Sequence, residues 1–143
     1  MQKFATALTL WAAAGLACAQ MTPVGLWKTI DDDGKTEKSY VRISEAGGVV
    51  GGKIEKVLDP KAKPDDVCDK CSDERKDKPI VGLTIIRNAK KSGDDTWEGG
   101  DITDPNNGKV YKLRLKPLDG GKKLEVRGYI GPFFRNQQWV RAE

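Results

Sequence analysis

The residues best placed to do chemistry are few, and the tightest group is Asp66-Val67-Cys68-Asp69-Lys70-Cys71. Two cysteines separated by two residues suit half of a zinc site, a thioredoxin-like redox pair or a short disulfide. A closed structural zinc site needs four Cys or His ligands, and the whole chain has 3 cysteines and no histidine. Zinc would need a dimer or two carboxylates to complete it. A thioredoxin-like pair stands where a strand feeds a helix, whereas this pair stands in VLDPKAKPDDVCDKCSDERKDKP, a run of turn formers and charges.

Enzymatic chemistry has little else to draw on. Without histidine the Ser-His-acid and Cys-His arrangements cannot be assembled. Asp31-Asp32-Asp33 and Asp94-Asp95 fall in turn segments, where short polar side chains bond their own backbone. A glycosidase-type pair needs two carboxyls facing each other across a cleft. An EF-hand register with Gly34 at the sixth position puts Tyr40 at the twelfth, where a bidentate glutamate is required. A looser cation site shared by Asp31, Asp33 and Asp104 is the weaker alternative to plain solvated turns. No catalytic residue, cofactor or metal is expected.

The N-terminus bears on the cysteines because it sets the redox compartment. MQKFATALTLWAAAGLACAQ has one basic residue, an apolar run from Phe4 to Ala17 and the triplet Ala17-Cys18-Ala19. That is the layout of a secretory signal peptide over residues 1–19, cleaved near Ala19-Gln20. Gly15 stands where lipoprotein processing at Cys18 favours a large aliphatic residue. The apolar run is too short to persist as a transmembrane helix. The expected mature protein is periplasmic or secreted, residues 20–143 form one domain, and loss of Lys3 lowers the formal net charge from +4 to +3. In an oxidising compartment the preferred reading of Cys68 and Cys71 is a disulfide stapling an exposed polar loop. Charges of both signs are interspersed, as in KAKPDD and DERKDK, so no concentrated basic face for nucleic acid is expected.

The elements that must position these residues are short strands. VGLWKTI (24–30), KSYVRIS (38–44), VVGGKIEKVL (49–58), IVGLTIIR (80–87), TWEGGDIT (96–103), KVYKLRLKP (109–117), KKLEVRGYI (122–130) and the terminal NQQWVRA read as strands, separated by Gly, Asp, Asn and Pro signals. Asn88 to Asp95 and GPFFR read as turns. Eight strands joined in sequence predict an all-β, antiparallel up-and-down meander barrel, with a β-sandwich as the alternative. In such a meander the Asp31 turn, the cysteine loop, the Asp104 to Gly108 turn and the Gly131 to Arg135 turn share one rim, and the termini lie at the other.

Alternation assigns Val41, Ile43, Leu83, Ile85, Tyr111, Leu113, Leu124 and Val126 to the interior, as wall of a ligand cavity or as filling of a solid core. Arg127 and Tyr129 are out of phase with Leu124 and Val126 and face outward unless Gly128 marks a bulge. Phe133 and Phe134 lie at the rim as a lid, an anchor for a partner or a plug.

Gly25-Leu26-Trp27 resembles the G-x-W signature of lipocalins and related calycins. The resemblance implies that Trp27 closes the barrel base and that Arg141, in the last strand, packs across it. The series GLWKT, IVGLTI, TWEGGDITDPNNGKVYKL, LEVRGYIG and QQWVR is similar to the small secreted bacterial proteins of domain-of-unknown-function family twenty-one forty-seven. Its D-P-x-x-G-K-x-Y motif (Asp104 to Tyr111) and V-R-G-Y-x-G motif (Val126 to Gly131) carry that resemblance. It implies a lipocalin-like barrel in the cell envelope with no assigned catalytic residues. The functional expectation is a binder of a small hydrophobic or amphipathic ligand; the alternative is a non-enzymatic module that meets an envelope protein partner through the rim.

Overall fold

The computed structural model describes residues 21–143, so the expected leader and its cleavage point lie outside the described residues. Eight antiparallel strands follow one another: β1 (Gly25–Ile30), β2 (Glu37–Ala46), β3 (Val49–Val57), β4 (Thr84–Lys91), β5 (Trp97–Thr103), β6 (Val110–Leu118), β7 (Lys123–Ile130) and β8 (Phe133–Arg141). Each pairs with the next and β8 returns to β1, closing a barrel. The alternation that marks these segments as strands is the alternation of burial: in β6, Leu113, Leu115 and Pro117 are buried between residues that are less so. The sandwich alternative is excluded by this closure.

Two strands depart from the expected boundaries. β4 begins at Thr84 and runs on through Lys91, so the expected turn at Asn88 is strand, and Ile80 to Leu83 belong to the preceding loop. Asn88 has φ 60°, which Asn tolerates better than most residues. The turn signal is absorbed as a kink inside the strand. Gly100 sits across from it on β5, where an added Cβ would lie 2.0 Å from the Arg87 carbonyl oxygen. The second departure is β8, which starts at Phe133 and not at Asn136. Ile130 pairs with Phe133, leaving Gly131 and Pro132 as the whole turn, with Gly131 at φ 54°.

The base half of the barrel is solid. Trp27, Val41, Ile43, Leu113, Leu115, Leu124 and Trp139 are buried in one cluster. Gly52 makes room for its neighbours, since a Cβ there would lie 3.2–3.3 Å from Ile86 and Val41 side-chain atoms. The seam between β1 and β8 is short, with only Trp27↔Arg141 and Lys28↔Val140 in register. Toward the mouth the seam is bridged by a side chain: Asp32 accepts hydrogen bonds from Arg135 (2.9 Å) and from the Gln137 amide (2.7 Å).

Candidate functional site

The mouth is built by short polar side chains that fix its turns. Asp33 accepts from the backbone N–H of Lys35 and Thr36 and from the Thr36 hydroxyl, which lowers its carboxyl to a pKa of about 2. Asp104 accepts from the Asn106 N–H in the same manner. Among the described residues no group of three or more Cys, Asp or Glu is placed to hold a metal ion.

The loop between β3 and β4 folds over this end; most of its residues are exposed, as expected, and the expected staple is set on its inner side. Cys68 and Cys71 form a disulfide, S–S 2.04 Å, with relative exposures of 0% and 3%. The charged residues around them point outward and the sulfurs point in. Gly108, in the β5–β6 turn, lies against the Lys70 carbonyl so closely that a Cβ would be 1.8 Å from its oxygen. Arg75 is buried, donates to both Asp73 oxygens and to the Thr84 carbonyl, and so ties the loop to the start of β4. Its guanidinium in turn holds the Asp73 carboxyl far below the usual range.

Beneath the loop lies a cavity of about 180 Å³ in the mouth half of the barrel. Its apolar walls come from Ile54, Ile80, Ile85, Ile102 and Val126. Its polar side is a set of paired groups. Thr29 and Ser39 share a hydrogen bond of 2.8 Å, and Lys38 pairs with Asp59 at 2.8 Å. Arg135 donates to the Tyr111 hydroxyl at 3.1 Å and lies 2.8 Å from Asp32 and 3.6 Å from Asp104. Gln137 joins the set by accepting from Trp139 Nε1 at 2.9 Å. Burial alone would depress the Arg135 guanidinium, but Asp32, Tyr111 and Asp104 hold its pKa above the ordinary value. Lys38 is likewise raised against its burial by Asp59. These shifts keep each group charged through the neutral range, the condition for recognising polar groups and the wrong one for a general acid or base working near neutrality.

The expected lining residues divide between cavity and core. Ile85, Tyr111 and Val126 border the cavity. Val41, Ile43, Leu113 and Leu124 are packed in the solid core, and Leu83 is buried in the loop ahead of β4. Sequence reasoning missed Arg135 and Gln137, although both keep the parity of buried Trp139 along β8. At the base, the Arg141 guanidinium stands 4.2 Å from the Trp27 ring and donates to the Thr22, Val24 and Gly121 carbonyls. Phe133 and Phe134 belong to β8 and are 73% and 56% exposed; neither lines the cavity.

The family model described as "Uncharacterized protein conserved in bacteria (DUF2147)" matches residues 25–141. The chain belongs to this family. Among solved structures it is similar to protein HP1028 of Helicobacter pylori, described as belonging to the lipocalin family, with a TM-score of 0.71 and 18% identity over 84% of this chain and 82% of that one. That likeness establishes a lipocalin-like fold. A search of curated proteins returns no match.

Proposed function

We propose that this member of the family binds a small amphipathic molecule without transforming it, in the periplasm or outside the cell. The observation that carries this reading is the cavity of about 180 Å³, apolar on one wall and lined on the other by ordered charged and hydroxyl groups, above a core that is otherwise filled. A cavity of this size suits one ring or a short chain, since an engineered apolar cavity of about 150 Å³ takes benzene. The buried disulfide supports an oxidising compartment, as does the signal-peptide layout of the N-terminus. The test is native mass spectrometry of the mature protein purified from its own envelope, with organic extraction of what it carries. A bound species at one per chain supports the reading. Empty protein, with a cavity that accepts no small amphiphile in solution, refutes it.

One observation favours a second reading. Phe133 and Phe134 are exposed at a hairpin tip, as in a surface that meets an envelope protein partner. In that case Phe134→Ala abolishes capture of the partner while cavity-filling substitutions do not.

A further inference from the structure

The polar wall of the cavity is richer in acceptors than in donors. Four carboxylates, Asp31, Asp59, Asp66 and Asp104, border the cavity against two cations, Lys38 and Arg135. The carboxylates arrive from separate elements: Asp31 follows β1, Asp59 and Asp66 follow β3, and Asp104 follows β5. These strands run from base to mouth, so all four stand at the mouth, above the apolar walls. Just outside, Asp32 on Arg135 and Lys61 near Asp59 add one charge of each sign.

Both cations of the wall are already committed. Lys38 Nζ donates to Asp59 at 2.8 Å. Arg135 donates to Asp32 at 2.9 Å and to the Tyr111 hydroxyl at 3.1 Å, and lies 3.6 Å from Asp104. The neutral donors are engaged as well, the Gln137 amide on Asp32 and the Trp139 indole on Gln137. Two carboxylates are spare. Half-buried Asp31 accepts only from the Asp32 N–H and exposed Asp66 only from the Lys63 N–H, and neither has an ion pair among the described residues. Burial would lower the Lys38 ammonium, but Asp59, Asp31 and Asp104 together raise it, so three carboxylates act on one point of the mouth. An anionic amphiphile would have to take Lys38 or Arg135 from its carboxylate and leave that carboxylate uncompensated in a half-buried place. A cation meets carboxylates already in position and displaces nothing. Carboxylates alone would make no site; here they stand over a chamber whose Ile54, Ile102 and Val126 walls take an apolar body.

We infer that the molecule held in the cavity is an organic cation, a primary ammonium carried on one ring or a short alkyl chain, with its head among Asp31, Asp66 and Asp104 and its apolar body beneath. The inference rests on the cavity being a ligand site, as proposed above, and adds the charge of the ligand's head.

The test is titration of the mature protein, followed by nuclear magnetic resonance, with three compounds that share one ring and differ in the head: benzylamine, benzyl alcohol and benzoate. Benzylamine is expected to bind at least about tenfold tighter than benzoate, with the alcohol between them. The preference shrinks as salt rises from about 0.05 M to about 0.5 M and the screening length contracts. Asp31→Asn with Asp66→Asn keeps an oxygen for each loop N–H and removes both spare charges. In that variant benzylamine binding falls about tenfold while benzyl alcohol stays within about twofold, which shows the cavity intact. If the variant loses the alcohol too, Asp31→Asn alone carries the comparison, with a fall of about threefold expected. Benzoate bound as tightly as benzylamine, or benzylamine unaffected where alcohol binding is kept, overturns the cationic head and leaves the cavity a ligand site. Uptake of none of the three overturns the cationic head, and the ligand reading with it if protein from its own envelope is also empty.

Discussion

Replacing Arg141 by Met tests whether the barrel base is held by one side chain. The guanidinium donates to four carbonyls from three places in the chain, Thr22 at 2.7 Å and Val24 at 2.9 Å, Gly121 at 2.6 Å and Glu143 at 3.4 Å. It also covers the Trp27 ring at 4.2 Å. Met keeps most of the aliphatic stem and removes these contacts. The carbonyls at this end can recover water, so each lost bond is worth about 1 kcal/mol and not the full value of a charged bond in a dry interior. The cation over the ring adds about 1 kcal/mol. The expected destabilisation is about 3–5 kcal/mol, a large share of the margin of a domain this size, and a fall in Tm of about 10–15 °C. Urea and thermal unfolding followed by circular dichroism read both. Trp27→Phe loses the bond from Nε1 to the Pro23 carbonyl (2.8 Å) and weakens the attraction to Arg141. The double-mutant cycle should therefore return a coupling of about 1 kcal/mol. Arg141→Lys should recover less than half the loss, because an ammonium is a point charge and not a planar fork that reaches several acceptors. A loss below about 1 kcal/mol for Arg141→Met, or zero coupling with Trp27, would refute this reasoning and leave closure to the sheet alone.

Other substitutions separate cavity from core. Val126→Trp fills space beside the cavity and should abolish ligand uptake in native mass spectrometry with the fold kept. Leu113→Trp overpacks a filled core and should cost about 1–3 kcal/mol or more in urea unfolding. Acid should destabilise the protein over a defined range. The Asp33 carboxyl is depressed to about 2 from an ordinary value near 3.9, so its contribution is complete above about pH 4 and is lost as pH falls through about 2. Asp59 and Asp73 are shifted in the same direction. A urea-midpoint series over that range should show the decline, and Asp33→Asn should flatten part of it. Cys68→Ala with Cys71→Ala should lower stability by about 2 kcal/mol from loss of the small ring. It should also speed proteolysis within residues 59–83, read by limited digestion and mass spectrometry.

The strand order and both rims were legible in the sequence because consecutive strands pair and each one alternates about a buried face. KVYKLRLKP reads correctly residue by residue, with Leu113 and Leu115 inward and Lys112 and Arg114 outward. Legibility failed where one residue type served two purposes. Asn88 signals a turn but forms a kink in β4, because the tolerance of positive φ that suits Asn to turns also lets it bend a strand. The cysteine loop reads as exposed because its charges outnumber its apolar groups, and most of it is exposed, but that composition hides its inner side. Cys68 and Cys71, with Ile80 and Leu83 further along the loop and Arg75 tying the backbone to β4, turn one side of it inward.

The polar half of the cavity was hidden for a different reason. Arg135 and Gln137 stand at inward positions by the parity of Trp139, but hydrophobic patterning treats an inward arginine as a break in the strand. What makes it admissible is supplied from other elements: Asp32 from the β1–β2 turn, Asp104 from the β5–β6 turn and Tyr111 from β6. No short window of sequence contains that set. A charge can be brought inside only where partners from several strands converge, so an inward arginine in an otherwise regular strand marks the end of the barrel where the turns meet. In this chain that end is also where the packing stops and the cavity begins. The outward arginines of β6 and β7, half-buried on the outer face, show the converse. Arg114 and Arg127 fit the pattern of outward residues without exception, yet register sets them opposite each other, with Glu98 on the other side of Arg114. A strand pattern records which face a residue takes and is silent about what stands opposite, so both the polar cavity and the charge pairing of the outer face emerge only once register is known.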